Sequence, residues 1–223
     1  MLKKIGRQKN KLNFVLLLSR ISNTLFSHKI NASVKIIILM LCLFFSLSSP
    51  FLFLALWENG KCLTIIQKEN KRLHSENFLL HLRQTLEKNN HSLKEINKVY
   101  FTSTPSGQTG LRVSLAFIST LQVLNPKVKL YHIDTLLLQA GNASCVSLLT
   151  IDSRGNKYHV AVFQNKNRLL ETQIISKEEL AKIFEKFPDF SLQKDCQDID
   201  FLTNFEELKG HFTRLNKIEE INY

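Results

Sequence analysis

The feature that most restricts how this chain can fold is an uncharged apolar run near its start. Residues 36–57 contain no charged side chain, and eight basic residues precede them. A basic segment followed by about 20 apolar residues is typical of a membrane anchor with a cytoplasmic amino end. The run is interrupted at positions 46–50 by SLSSP, and three serines with a proline favour two buried strands joined by a turn. We therefore expect buried strands, with a membrane helix over residues 36–57 as the alternative.

The positive charge of the chain is concentrated in its first 35 residues. The 223 residues include 30 basic and 19 acidic side chains, a net charge of +11. All the acidic residues lie at or after Glu58, together with 22 basic ones, so residues 58–223 have a net charge of only +3. This balance is that of an ordinary protein surface and does not by itself indicate a nucleic-acid-binding domain. Residues 1–33 are interpreted as a basic amino-terminal extension without chemistry of its own.

Beyond Gly60, strand and helix patterns alternate. Ser75 is a suitable N-cap for a helix, and the residues after it form one apolar stripe: Phe78, Leu79, Leu82 and Leu86. A strand over residues 98–104 leads into a helix over 109–124, which Asn125-Pro126 ends. A strand, a short helix and a three-stranded meander follow, and Ser176 with Glu179 predicts a capping box for one more helix. This order predicts an α/β fold with mixed sheets in two lobes.

The stretch TPSGQTGLR, residues 104–112, is the candidate ligand-binding motif. It connects a strand to a helix, and backbone N–H groups at a helix start favour an anion. A Walker loop would need a lysine after its second glycine, and Gly107 and Gly110 are also too close together for that pattern. The competing interpretation is structural: both glycines permit a tight turn, and Thr109 caps the helix. We favour the structural interpretation.

Three segments in the same order resemble the bacterial TsaB (YeaZ) family. The first is LHSENFLLHLRQTL, the second is PSGQTGLRVSLAFISTLQVL, and the third is LLTIDSRGNKYHVAVF. The similarity covers roughly residues 45–175. The family-motif residues within it are His74, Ser75, Glu76, Pro105, Gly107, Thr109, Gly110, Leu111, Arg112, Asp152 and Arg154.

The resemblance implies a fold, a process and a set of partners. The fold is the two-lobed actin-like (ASKHA, RNase H-like) α/β fold. The process is the addition of a threonylcarbamoyl group to adenosine 37 of tRNA, in which TsaB pairs with the catalytic subunit TsaD and the ATPase TsaE joins them. ATP and Mg²⁺ then act at the level of the complex through the partners, tRNA is met through the complex, and the implied location is the cytoplasm. The sequence leaves open whether the isolated chain forms a homodimer. The alternative function is that of a membrane-anchored actin-like or peptidase-like degenerate relative, with a membrane span over residues 36–57.

The departures from the family pattern predict that this chain has no catalytic or metal-binding residues of its own. The family's first strand usually ends in Asp-Thr-Ser, whereas the corresponding sequence here is CLFFSLSS, without the carboxylate that anchors a metal. The catalytic paralogue also uses a closely spaced histidine pair, and the seven histidines here include no pair at i, i+3 or i, i+4 spacing. The four cysteines lack C-x-x-C spacing, so no zinc or redox site is predicted.

The helix over residues 109–124 is the predicted partner surface because it is apolar on two sides. One face contains Leu111, Leu115, Ile118 and Leu121, and the other contains Val113, Ala116, Phe117 and Leu124. We expect the first face to pack on the sheet and the second to meet a partner helix. The predicted interface residues are Phe78, Leu82, Val113, Phe117 and Leu124. The predicted domains are the extension 1–33, an amino-terminal lobe 34–144 and a smaller carboxyl-terminal lobe 145–223.

Overall fold

The computed structural model describes residues 40–69, 74–151 and 155–221, without the side chains of His74 and Ser75. The predicted extension, residues 1–33, therefore lies outside the described residues. So do the motif residues Asp152 and Arg154. Where the chain is described, it forms two sheets and five helices.

Six strands form the first sheet. They are β1 (Leu41–Ser46), β2 (Phe51–Glu58), β3 (Lys61–Glu69), β4 (Ile96–Thr102), β5 (Lys129–Ile133) and β10 (Thr213–Leu215). Their spatial order is β10-β5-β4-β1-β2-β3. β1, β4 and β5 are parallel to one another, whereas β2, β3 and β10 pair with their neighbours in antiparallel orientation. The sheet is therefore mixed, as the sequence predicts.

The uncharged run is explained by the position of β1 and β2 in the middle of this sheet. Alternate side chains of both strands lie in two different hydrophobic clusters, with Phe45 and Leu54 on one face and Phe44 and Phe53 on the other. Strands buried on both faces need apolar residues at nearly every position. The prediction of two buried strands is confirmed, and the alternative of a membrane helix is wrong for residues 41–57. No helix in the described ranges has the length and apolar composition needed to cross a bilayer.

Four strands form the second sheet. They are β6 (Cys145–Thr150), β7 (Lys157–Gln164), β8 (Asn167–Ser176) and β9 (Ser191–Lys194), in the order β8-β7-β6-β9. β6, β7 and β8 form the predicted antiparallel meander, and β9 pairs with β6 in parallel orientation. This second sheet is mixed as well, so the predicted α/β fold with mixed sheets is confirmed.

The helices cover the faces of the sheets. They are α1 (His74–Lys88), α2 (Gln108–Leu124), α3 (Thr135–Ala140), α4 (Lys177–Lys186) and α5 (Phe201–Glu207), with 3₁₀ turns at Leu93–Glu95, Lys209–His211 and Ile218–Glu220. α1 and α2 contribute to the cluster on one face of the first sheet, and α3 and α5 contribute to the cluster on the other. The predicted capping box of α4 is confirmed: Ser176 accepts from the Glu179 amide, and Glu179 accepts from the Ser176 amide.

Two details of the first helix differ from the sequence prediction. α1 begins at His74, so Ser75 lies in its first turn and is not the N-cap. The predicted apolar stripe is buried at Phe78, Leu82 and Leu86, but Leu79 is 53% exposed. Leu79 lies about 100° around the helix from Phe78, at the edge of the stripe, where its side chain is partly open to solvent.

The course of the chain after residue 190 was not predicted from the sequence. The chain adds β9 to the second sheet, crosses through α5 and returns to the first sheet as β10. Two phenylalanines of α5 lie in the core, where Phe205 stacks on Phe44 at 4.5 Å and Phe201 stacks on Phe53 at 4.8 Å. The division into lobes 34–144 and 145–223 stays a prediction, although the second sheet does begin at Cys145.

Candidate functional site

The motif loop lies directly on the turn between β1 and β2. Gly107 is the N-cap of α2, and its amide donates to the carbonyl of Ser48 at 3.2 Å. Gly107 has φ −62° and ψ 133°, an extended conformation that any residue can adopt. Thr109 lies inside the helix, so the prediction that it caps α2 is wrong.

Gly110 is required by a close approach and not by its own backbone angles. A Cβ built on Gly110 would lie 1.8 Å from the carbonyl oxygen of Leu47 and 2.8 Å from its carbonyl carbon. The first turn of α2 can therefore rest against the end of β1 only if this position has no side chain. Leu111, the next motif residue, is buried in the core beneath the helix.

The end of β1 carries hydroxyl groups where the family pattern has a carboxylate. The Oγ atoms of Ser46 and Ser48 lie 2.9 Å and 2.7 Å from Oγ1 of Thr102, at the end of the neighbouring parallel strand β4. All three side chains are buried. A closed network of neutral hydroxyls satisfies its own hydrogen-bonding groups and adds no negative charge. In the described part of the chain, no three His, Cys, Asp or Glu side chains are grouped to hold a metal ion.

A cleft of about 690 Å³, with both polar and apolar walls, separates the motif loop from the second sheet. It lies at the carboxyl ends of β4 and β5, the edge at which open α/β sheets bind ligands. Its walls include Gln108, Arg112 and Asp134 from one side and His159 and Thr172 from the other. Arg112 and the first amides of α2 are the groups that could hold an anion here.

Asp134, the acidic group on the walls of the cleft, is already used by the fold. Asp134 caps α3 by accepting from the amides of Leu136 and Leu137, and its second oxygen forms a 2.7 Å ion pair with Arg168. Burial lowers the pKa of His159, and the negative charge of Asp134 opposes this only in part. His159 is therefore neutral near pH 7, and the cleft has a structural ion pair but no paired acid and base.

A second candidate site is an apolar groove between α1 and α2, which we call the interhelical groove. It has a volume of about 600 Å³. Its open apolar lining includes Leu79, Val113, Ala116 and Leu124, and Arg83, Glu87 and His91 lie along it. The described chain leaves this groove uncovered, although both of its walls are helices of the core.

The predicted interface residues divide into an open set and a buried set. Val113 is half-buried and Leu124 is 40% exposed, and both line the groove. Leu82 and Phe117 also line it, but they are 2% and 7% exposed. Phe78 is fully buried, with its ring 4.8 Å from that of Phe45 and 5.1 Å from that of Phe117. Phe78 and Phe117 therefore hold α1 and α2 together beneath the groove and offer a partner little surface.

The remaining motif residues surround the same two helices. His74 and Ser75 are in the first turn of α1, Glu76 is exposed there, and Pro105 is buried at the cleft. Arg112 is exposed at the cleft. Three further residues of the two sites, Leu79, Asp134 and Arg168, were not predicted as site residues from the sequence. The apolar pattern predicts Leu79 in the buried stripe, and the last two residues meet only because the fold brings the start of α3 against β8.

Comparison with solved structures identifies the class of fold. YeaZ from Pseudomonas aeruginosa matches with a TM-score of 0.58 and 16% identity, over 82% of this chain and 97% of that one. A second structure, of an uncharacterized protein from the same organism with similarity to peptidase YeaZ, gives a TM-score of 0.58 and 15% identity, over 81% of this chain and 96% of the other. At these identities the likeness concerns the fold, which is the YeaZ-like α/β fold.

A family model shows to which protein family the chain belongs. The model for TsaD, tRNA N6-adenosine threonylcarbamoyltransferase, matches residues 64–198, more than half of the chain. The chain belongs to the TsaD family of tRNA N6-adenosine threonylcarbamoyltransferases. The curated proteins contain no match to the sequence. The matched region includes both walls of the interhelical groove and all of the cleft beside the motif loop.

Proposed function

We propose that this chain is a non-catalytic subunit that pairs with a TsaD-type catalytic subunit in the transfer of a threonylcarbamoyl group to adenosine 37 of tRNA. Membership of the TsaD family and the YeaZ-like fold support a role in this tRNA modification. The finer assignment, partner and not catalyst, depends on the interhelical groove and on the end of β1.

The interhelical groove is the observation that carries the partner role. Its open apolar residues are Leu79, Val113, Ala116 and Leu124. Apolar patches of this kind on a soluble domain mark interaction surfaces, since water contact with them is unfavourable. A groove between two packed helices fits the ridge of a helix from another chain. We assign it to the TsaD-type subunit, and in its absence to a second copy of this chain.

The end of β1 supports the non-catalytic role. In actin-like enzymes a carboxylate at this position anchors the metal that accompanies the phosphates, as the family resemblance implies. Here the position holds the buried hydroxyl network of Ser46, Ser48 and Thr102. Neutral hydroxyls that already bond to one another are poor ligands for Mg²⁺, which prefers charged oxygens. We therefore propose that ATP, Mg²⁺ and the TsaE-type ATPase act in the complex through the partner, in the cytoplasm.

Reconstitution of the modification tests this function. Purified chain, a TsaD-type subunit, a TsaE-type ATPase, threonylcarbamoyl-adenylate and an unmodified tRNA transcript are combined, and each protein is omitted in turn. We expect the chain alone to form no modified adenosine and to hydrolyse no ATP above background. We also expect its omission from the full mixture to abolish repeated turnover. Modification by the chain alone, or full activity without it, contradicts the proposal.

A further inference from the structure

Basic side chains are gathered on the face of the first sheet that lies opposite the interhelical groove. Lys98 of β4 and Lys129 of β5 are direct neighbours in the parallel register, and Cys42 of β1 is the next residue in the same row. Val99 and Leu130, one position further along, lie in the core cluster under α1 and α2. Because side chains alternate along a strand, both lysines belong to the other face.

Two further basic residues border the same row. Arg214 of β10 is paired with Tyr131, two residues after Lys129. The Nζ atom of Lys209 lies 5.3 Å from the ring centre of Phe205, a residue of α5 on this face. Burial raises the pKa of the Cys42 thiol, while the charges of Lys98 and Lys209 act to lower it. Both cations are thus close enough to act on the same thiol. We call Lys98, Lys129, Lys209 and Arg214 the basic patch.

Among the described residues, only one of the four charges of the basic patch has a carboxylate partner. Lys209 forms a 3.0 Å ion pair with Glu206. Among the described residues, no carboxylate oxygen lies within 4.0 Å of the charged groups of Lys98, Lys129 or Arg214. Like charges on adjacent strands repel one another. A ligand with several negative charges would remove this repulsion, and a phosphodiester chain has one such charge per nucleotide.

An aromatic pair lies beside these charges. Tyr131 is half-buried and stacks on Tyr100 at 4.9 Å with an interplanar angle of 17°. Basic groups around a partly exposed tyrosine suit RNA, since they contact the backbone while unpaired bases stack on aromatic rings. We propose that the basic patch binds the phosphate backbone of the tRNA substrate, on the side of the first sheet opposite the helices α1 and α2 that form the groove. This inference rests on the proposed function for the identity of the RNA.

Binding of a fluorescently labelled, unmodified tRNA transcript to the full chain tests the inference, with fluorescence anisotropy measured from 50 to 300 mM salt. The test variant is Lys129→Gln with Arg214→Gln, since both side chains are exposed. The matched control is Lys177→Gln with Lys182→Gln, two exposed lysines of α4 on the second sheet. Both variants lose two positive charges and retain the eight basic residues of the segment 1–35. The non-specific electrostatic attraction between the chain and tRNA is therefore reduced equally in both.

We expect the test variant to bind tRNA about tenfold more weakly at low salt. The plot of the logarithm of the association constant against the logarithm of the salt concentration should become less steep by about 2. The control variant should behave like the unaltered chain. Equal loss in both variants, or no loss in the test variant, overturns the inference. The inference is also overturned if the chain binds phosphatidylglycerol vesicles, with the same dependence on salt and on Lys129 and Arg214, but does not bind tRNA.

A second readout separates this inference from the proposed function. Co-purification with the TsaD-type subunit is measured on the same variants, and both should retain it because the basic patch is on the opposite face from the groove. A chain that binds tRNA through the patch but never pairs with that subunit contradicts the proposed function and leaves the RNA site standing.

Discussion

Replacing Gly110 by alanine tests the account of the motif loop. Alanine is the better helix former by about 1 kcal/mol, so propensity alone predicts a more stable protein. The new Cβ would, however, lie 1.8 Å from the carbonyl oxygen of Leu47. The obstructing atom belongs to the backbone at the end of a central strand and cannot move aside as a side chain would. Overpacking of this kind costs about 1–3 kcal/mol or more, and here the cost should be at the upper end.

We therefore expect Gly110→Ala to lower the free energy of unfolding by at least about 2 kcal/mol after the helix-propensity gain is included. For a chain of this size that is a fall of about 4–8 °C in Tm. Circular dichroism melts would measure it. Gly210→Ala is the matched control, since nothing lies within 4 Å of its added Cβ, and its Tm should change by no more than about 2 °C. A Gly110→Ala protein that melts at or above the unaltered chain would refute the close-approach argument.

Three other predictions concern titration, thiols and the extension. Burial lowers the pKa of His132 below its unfolded value, so the unfolded chain binds more protons and stability should fall as pH drops through about 6.5. His132→Asn should weaken this fall in melts between pH 7.5 and 5.5, and an unchanged pH dependence would contradict it. Burial raises the pKa of Cys145 and Cys196 to about 12, so a thiol reagent should label at most two cysteines in the folded chain and four after denaturation. Deletion of residues 1–33 should leave complementation of a strain without TsaB intact, and loss of function in a soluble truncated protein would count against this.

The strands and helices with strong periodic patterns could be predicted from the sequence. The pair β1 and β2 was predictable because the uncharged run is interrupted by a turn of serines and a proline. β9, α5 and β10 have four, seven and three residues, too few to establish a period. Their positions depend on contacts with distant residues, such as the pairing of β10 with β5.

The candidate sites were predictable only in part, for a reason that Phe117 illustrates. The helical wheel assigns Phe117 to the face of α2 that contains Val113 and Leu124. In the fold, its ring reaches into the core and packs edge-on against Phe45 at 5.6 Å. A long aromatic side chain can cover a surface well away from its Cα, which a wheel of Cα directions does not represent. The ion pair of Asp134 with Arg168 joins the N-cap of α3 to a residue of β8, 34 positions further along the chain, and has no local signal in the sequence.

The most direct measurement of the central claim is the affinity of this chain for a TsaD-type subunit after a single change in the interhelical groove. Leu124→Glu places a charge in the groove, whereas Val123→Glu places the same charge on the adjacent residue, which does not line it. Leu124 is 40% exposed and Val123 is 81% exposed, so both variants should fold. Burying an unpaired carboxylate at an apolar interface costs several kcal/mol. Titration calorimetry should therefore give a Kd raised at least about a hundredfold for Leu124→Glu and almost unchanged for Val123→Glu. Binding by Leu124→Glu as tight as that of the unaltered chain would contradict the assignment of the groove to the catalytic partner.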